Sequence, residues 1–332
     1  MGVDVGFSRT KAVASNGKEV DFISQTALFR KVKYDPNIAG IPYHQRMVIN
    51  LESEKFFVGE SAGKQALANA TVEKRRTVDR EGKLLLLGAM GNLIDHSPER
   101  VNLVVGLPVS NMDLKSDYMQ MAGGRQKFTF LTPDGSHYKD VVIDVEETRV
   151  MPQPFGSLFD LILNNYGALA NATVASGEVG VIDIGYGTTD FLRCIDLDPR
   201  DALSTSENGI GGHLIAKELS DLIYAKYGER IPIEDMDPIV RTGRMHLNGE
   251  SLSVKDLLTD AKKVSAEAIL SRAVSLWPDL RRLKLIVITG GAAFLIGEYL
   301  AARLGKVAVV AKNPVFSNRD GYLKYAWRVW GR

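Results

Sequence analysis

Val3-Asp4-Val5-Gly6-Phe7-Ser8-Arg9-Thr10-Lys11 and Ile182-Asp183-Ile184-Gly185-Tyr186-Gly187-Thr188-Thr189-Asp190 follow one plan. Each runs from an apolar strand through Asp, an apolar residue, Gly, an aromatic, small or polar residues and Thr into a second strand. Strands that meet across a short Gly-containing turn form hairpins. A strand–Asp–Gly–turn–strand unit that occurs twice predicts two similar α/β half-proteins facing each other.

Working outward from the first copy, strands are expected over 2–5 and 10–14, with a turn at Asn16-Gly17 and a further strand over 20–23. Residues 24–96 are more polar and mixed, and read as an inserted, surface-rich set of helices and loops. Val101-Asn102-Leu103-Val104-Val105 suits a strand covered on both faces, ended by Gly106-Leu107-Pro108. Strands over 127–131 and 141–145 flank the turn Thr132-Pro133-Asp134-Gly135. Val150 to Gly156 then leads into a helix over 157–163. In the second half, Gly209-Ile210-Gly211-Gly212 precedes a helix over 213–227, and 231–271 read as helical and polar. Leu285-Ile286-Val287-Ile288-Thr289 is a buried strand ended by Gly290-Gly291, with a helix over 294–304 and a strand over 307–311.

Composition bounds the function. The 332 residues fit about two domains. Forty-one basic against 40 acidic side chains leave a net charge of +1, so no global field draws the chain to nucleic acid. A single cysteine, Cys194, excludes a disulfide framework and a Cys-based zinc site, fits a reducing compartment, and reads as a small core residue. No apolar run approaches the ~18 residues of a membrane span. Met1-Gly2-Val3-Asp4-Val5-Gly6 is neither a signal peptide nor a myristoylation signal, so the expectation is a cytoplasmic protein without membrane contact.

The paired turns suggest a chemistry. Tight Gly and hydroxyl turns expose backbone N–H groups that bind phosphate oxygens. An Asp beside such a turn repels phosphate, but it can hold the water shell of the Mg²⁺ that accompanies a nucleotide. Lys11 can meet phosphate as a point charge, and Thr10, Thr188 and Thr189 can donate hydroxyl hydrogen bonds. A plain Asp-containing β-turn explains either copy alone; the matched pair is what favours a ligand. Asp190 fits a turn end or a partner of the site equally. Gly290-Gly291-Ala292-Ala293, between strand and helix, suits either a simple tight turn or a shelf for a base and ribose. Gln153, between two prolines, can orient an attacking water or merely bond backbone.

Taken together these residues resemble the actin-like ATPase superfamily. The likeness is greatest to the plasmid-segregation actins of the ParM/StbA family and to archaeal actin-like proteins. It is carried by residues 4–11, Val104-Val105-Gly106-Leu107-Pro108, residues 150–156, residues 181–190, Ile288 to Ala293, and Phe316-Ser317-Asn318-Arg319-Asp320-Gly321-Tyr322. The resemblance implies an actin-like ATPase fold: two facing ribonuclease-H-like lobes with a nucleotide cleft between them. Lobe I would hold 1–155 plus 319–332, with the insertion at about 24–96. Lobe II would hold 156–318, with a helical subdomain at about 213–275. It further implies ATP (or GTP) and Mg²⁺ as cofactors. Gly6, Phe7, Ser8, Arg9, Thr10 and Lys11 would form the first phosphate loop. Gly185, Tyr186, Gly187, Thr188 and Thr189 would form the second, with Gly211 beside it, and Gly290, Gly291, Ala292 and Ala293 the adenosine shelf. Asp4 and Asp183 would hold the Mg²⁺ hydrate, and Gln153 would align the attacking water. Partners would be further copies of the chain, head to tail in a filament, and a DNA-binding adaptor in plasmid partition. Two departures stand out: Ala292 replaces the third glycine usual at the shelf, and Gln153 stands where some members have Glu, so that it can orient water but cannot take its proton.

The rivals are a small-molecule kinase of the same superfamily, which needs a carboxylate base, and a scaffold that binds nucleotide without turnover. A chaperone ATPase would need a substrate domain after residue 332, and a reductive activator more thiols than Cys194. Lys74-Arg75-Arg76 with Arg80 reads as a solvated face, Trp327 and Trp330 as a packed C-terminal helix, and His213 as a polar helix-start residue.

Overall fold

The computed structural model describes residues 1–30, 42–63 and 77–331. The chain divides into two compact units, Met1–Ala172 with Phe316–Arg332, and Thr173–Val315. Lys74-Arg75-Arg76 lies outside the described residues.

The first unit begins with β1 (Gly2–Val5), β2 (Arg9–Val13), β3 (Glu19–Ile23), β4 (Thr26–Leu28), β5 (Arg46–Leu51), β6 (Glu54–Gly59), α1 (Glu60–Gly63) and α2 (Arg80–Leu93). It continues through β7 (Glu99–Leu107), α3 (Lys115–Ala122), β8 (Gly124–Leu131), β9 (His137–Pro152) and α4 (Pro154–Ile162). Among the described residues nine strands form one sheet, in the order β3-β2-β1-β7-β9-β8-β5-β6-β4. β1 pairs antiparallel with β2 and parallel with β7, which runs parallel to β9. Val3, Val5, Leu103 and Val105 on one face pack into a core with α2 and α3.

The insertion departs from expectation. Part of 24–96 is β4, β5 and β6, which extend the main sheet. α2 is a core helix: Asp79 caps it through the N–H groups of Glu81 and Gly82, and every residue from Leu84 to Met90 is buried. A helix apolar all round has to be buried. Arg80, at its start, is exposed to solvent, pairs with the equally exposed Glu54 and lies over the Phe56 ring.

Across the junction lie α5 (Ala172–Ala175), β10 (Glu178–Ile184), β11 (Thr188–Ile195), β12 (Asp198–Pro199) and β13 (Thr205–Asn208). Then come α6 (Gly212–Tyr227), α7 (Asp237–Thr242), β14 (Arg244–Leu247), β15 (Glu250–Ser253) and α8 (Lys255–Leu276). β16 (Leu285–Thr289), α9 (Ala293–Leu304), β17 (Ala308–Val310) and α10 (Ser317–Trp330) complete the chain. β10 pairs antiparallel with β11 and parallel with β16, and β16 parallel with β17. That is the topology of β2-β1-β7-β9, so the repeat read in the sequence is a repeat of connectivity. The stretch 231–271 is not wholly helical, because β14 and β15 form a hairpin within it.

α10 belongs to the first unit, and so does α4. The two helices approach so closely that a Cβ on Gly321 would lie 1.7 Å from the Gly156 carbonyl oxygen. Asn318 Oδ1 accepts from the Ser157 N–H at 3.1 Å, and Lys324 pairs with Asp160 at 2.7 Å. These contacts carry the first unit past residue 155 to Ala172, and the chain returns to it at Phe316. Trp330 Nε1 donates to Glu147 at 2.8 Å, so the C-terminal helix is packed down.

Candidate functional site

The two turns are built alike. Gly6 N–H donates to the Arg9 carbonyl at 3.1 Å, and Gly185 N–H to the Thr188 carbonyl at 2.9 Å. In the strand register Asp4 faces Lys11, and Asp183 faces Asp190. All four side chains are buried.

In the first unit the Asp4 carboxylate lies 3.8 Å from Lys11 Nζ and accepts from Gln153 Nε2 at 3.3 Å. Burial pushes its pKa up; Lys11, the Gln153 amide and Arg319 pull it down. Gln153 is fixed through its backbone: its N–H donates to the Leu107 carbonyl at 2.8 Å, and its carbonyl accepts from Gly156 N–H at 3.0 Å. Asp4, Lys11 and Gln153 therefore come together. Other members of the turn face elsewhere. Arg9 pairs with Asp21 at 2.6 Å and Glu60 at 3.5 Å. Thr10 is fully buried, and its hydroxyl shares a hydrogen bond of 2.8 Å with that of Ser24. Phe7 is half-buried at the turn and Ser8 is exposed; the Ser8 carbonyl accepts from Ser24 N–H at 2.8 Å.

In the second unit three glycine-bearing segments converge on the end of β10. The Gly185 and Tyr186 carbonyls accept from the N–H groups of Gly212 and His213 at 3.1 and 2.7 Å, and the Ile184 carbonyl accepts from Ala292 N–H at 2.8 Å. Both α6 and α9 thus start against the Asp183 turn, and helix N-termini favour anions. Gly211 has φ +138°, and a Cβ there would lie 2.6 Å from the Gly185 carbonyl oxygen. Thr189 is fully buried and donates to the Ile210 carbonyl at 2.8 Å, so like Thr10 it supports the turn from within. Asp190 accepts from the Ser206 hydroxyl. Thr188 is buried, Gly187 is open, and Tyr186 is partly exposed with its ring edge-on to His213 at 5.9 Å.

The shelf segment accounts for its alanine. Gly290 needs to be glycine, with φ +98° and no space for a side chain. Ala292 has φ −100°, which any residue adopts, and its buried methyl packs toward Gly212. The backbone at this position therefore makes no demand for glycine. Gly291 has open space where a Cβ would stand, and Ala293 is the first buried residue of α9.

Among the described residues no group of three or more acidic, His or Cys side chains is placed to cage a metal. Asp4 at the first turn and Asp183 at the second, where the further buried carboxylate of Asp190 is bonded to Ser206, fit a hydrated Mg²⁺ carried in with a nucleotide, which needs only one or two carboxylates.

The sequence reading gave Tyr322, Arg319 and Ser265 no role. Tyr322 donates to the Gln153 carbonyl at 3.1 Å, and Ser265 to the Gly211 carbonyl at 3.1 Å. Arg319 Nη1 reaches the Ala12 carbonyl at 3.5 Å, and Nη2 pairs with Glu19. Gly321 beside Tyr322 was the available signal, since a glycine inside a helix marks close packing. Cys194 is buried, with its thiol pushed up to about 11 by burial. Among the described residues no helix is long and apolar enough to cross a membrane.

Comparison with known proteins agrees with this geometry. Residues 2–156 match the family model of the actin-like proteins' N-terminal domain. Residues 181–302 match that of the archaeal MreB-like actin homologues' C-terminal domain. An archaeal actin homolog of Thermoplasma acidophilum is 26% identical over 342 residues, spanning 99% of this chain and 98% of its own. Among solved structures, the archaeal actin homolog Ta0583 superposes with a TM-score of 0.80 at 22% identity, covering 98% of each chain. Its complex with ADP gives 0.75 at 20% identity, covering 98% of each chain. A 15-stranded ParM filament from Clostridium botulinum gives 0.78 at 22% identity, covering 98% of this chain and 97% of its own. With both halves matched and the fold shared end to end, this chain belongs to the actin-like proteins.

Proposed function

We propose that the chain is an ATPase that polymerises: it binds ATP with Mg²⁺, assembles head to tail into filaments, and disassembles after hydrolysis. The observation that carries this is the matched pair of turns, each with a buried Asp two residues before a glycine whose N–H closes the hairpin. One nucleotide would be served by both. The Gly6–Lys11 and Gly185–Thr189 backbones would cradle its phosphates, Asp4 and Asp183 would hold the metal's waters, and the Gly290–Ala293 segment with Gly211 would receive the adenosine. GTP would be taken by the same backbone groups. The bound Mg²⁺ supplies charge neutralisation at the phosphates. Gln153 has no basicity; it orients the attacking water, which implies modest turnover.

Two neighbours support the reading, one an ADP complex and the other a filament. A head-to-tail contact that does not close on itself makes a filament, and nucleotide contacts that differ between two states of the protomer shift its population. In plasmid partition such a filament carries DNA through a DNA-binding adaptor, consistent with a chain whose net charge is only +1.

A kinase would need a carboxylate where the substrate hydroxyl sits. The notch beside Gln153 is walled by Val5, Phe7, Thr77, Leu85 and Pro108, and among the described residues no carboxylate lines it. The test is sedimentation and light scattering with ATP and Mg²⁺. Assembly that requires both, and reverses as phosphate is released, supports the proposal. A chain that binds ATP yet stays monomeric at every concentration contradicts it.

A further inference from the structure

Gln153 is held by more than its own loop. Its carbonyl accepts from the Tyr322 hydroxyl at 3.1 Å as well as from Gly156 N–H. Tyr322 is fully buried on α10, remote in sequence from Gln153. The phenol reaches the carbonyl through space that two glycines leave open. A Cβ on Gly106 would lie 1.9 Å from the Tyr322 hydroxyl oxygen and 2.8 Å from Gln153 Cγ. A Cβ on Gly156 would lie 2.6 Å from Tyr322 Cε1. A buried tyrosine needs some partner for its hydroxyl. The partner here is the peptide carbonyl of the residue whose amide bonds Asp4 at 3.3 Å.

We infer that Tyr322 is a positioning residue for Gln153: its hydroxyl pins the peptide from which the Gln153 amide projects, so that the C-terminal helix sets the aim of the water-orienting group. This rests on the hydrolytic reading above and extends it to α10. Tyr322 acts only through Gln153. Displacement of an orienting group by about 1 Å can cost ~10²-fold in rate, so a single hydrogen bond at its root is felt in turnover.

The test uses the full chain. Tyr322→Phe keeps the ring and removes the hydroxyl. It should bind ATP–Mg²⁺ within about twofold of wild type and release phosphate about tenfold more slowly. Tyr322→Phe combined with Gln153→Ala should be no slower than Gln153→Ala alone, because the two act as one unit. Lys324→Met, on the same helix, removes the pairing of α10 with Asp160 while leaving Tyr322 and Gln153 in place, and should leave turnover at the wild-type level. Independently of turnover, the ¹⁵N side-chain amide signal of Gln153, assigned by its loss in Gln153→Ala, should shift or broaden in nucleotide-free Tyr322→Phe. Wild-type turnover with an unmoved amide signal overturns the inference, as does a rate loss that adds to that of Gln153→Ala or is matched by Lys324→Met. A wild-type chain that binds ATP and releases no phosphate contradicts the hydrolytic reading instead. The amide signal then decides Tyr322 alone: movement supports it and constancy overturns it.

Discussion

Asp183 occupies the space that a side chain on Gly290 would need: a Cβ there would lie 2.3 Å from the Asp183 Oδ1 and 2.5 Å from the Ile184 nitrogen. The acidic turn and the shelf segment are therefore one packed object. Gly290→Ala should destabilise the second unit by more than the about 1–3 kcal/mol of its φ strain alone, since the overlap adds to it. Gly291→Ala, with open space at its Cβ, should change stability by no more than about 0.5 kcal/mol. Thermal unfolding of the two variants side by side checks this.

Gln153→Ala should leave nucleotide affinity near wild type and slow phosphate release by about 10²-fold, the scale of a lost orienting contact. If hydrolysis drives disassembly, its filaments should also persist longer. Phosphate release and light scattering on one sample separate the two effects.

Asp4 gives a pH signature. Burial raises its carboxyl above the ordinary 3.8. The folded chain then holds this proton more tightly than the unfolded one. Stability falls as pH rises through the window that opens near 3.8 and closes at the raised folded value, and the loss persists above it. Asp4→Asn removes the ionisable group. In the metal-free, nucleotide-free chain it should raise the melting temperature at pH 7 relative to wild type and flatten the acid side of the profile. Melting temperatures from pH 4 to 8 in chelator, about half a unit apart, check the sign.

Arg193 is almost wholly buried, bidentate on Asp279 at 2.7 and 3.0 Å and bonded to Glu178 at 2.7 Å. Arg193→Met keeps the stem but leaves two carboxylates without their cation. It should lower the melting temperature by several degrees, and less at pH 3 than at pH 7, because the Arg193 hydrogen bond holds the Asp279 carboxyl below its ordinary 3.8 and that stabilisation is lost as pH falls through the lowered value. Arg193→Lys should recover only part, since ammonium cannot span both oxygens.

How far the sequence could be read follows from its turns. The two acidic hairpins were legible because Gly and Asp mark their ends and the strands between are short and apolar. β5 and β6 were not legible. Their turn is Glu52-Ser53, both with positive φ, at 54° and 70°, in place of the Asn-Gly or Asp-Gly that signals such a hairpin. α2 was hidden by its uniformity, since Leu84-Leu85-Leu86-Leu87 has no helical period to detect. The β14–β15 hairpin carries Asn248-Gly249 at its turn, a signal outweighed by the helical neighbours on either side. At the site, Asp4, Lys11 and Gln153 were readable as a set. The inward bonds of Thr10 and Thr189 were not, because they depend on Ser24 and Ile210, which only the folded sheet brings close.

The central claim is that two turns in separate halves of the chain serve one nucleotide. Calorimetric titration of ATP with Mg²⁺ into wild type, Asp4→Ala and Asp183→Ala tests it most directly. The account predicts one nucleotide per chain in wild type, and affinity lowered at least about tenfold, or 1.4 kcal/mol, by either substitution alone in Mg²⁺ but much less in chelator. Undiminished Mg²⁺-dependent binding in either variant, with the fold intact, would contradict it.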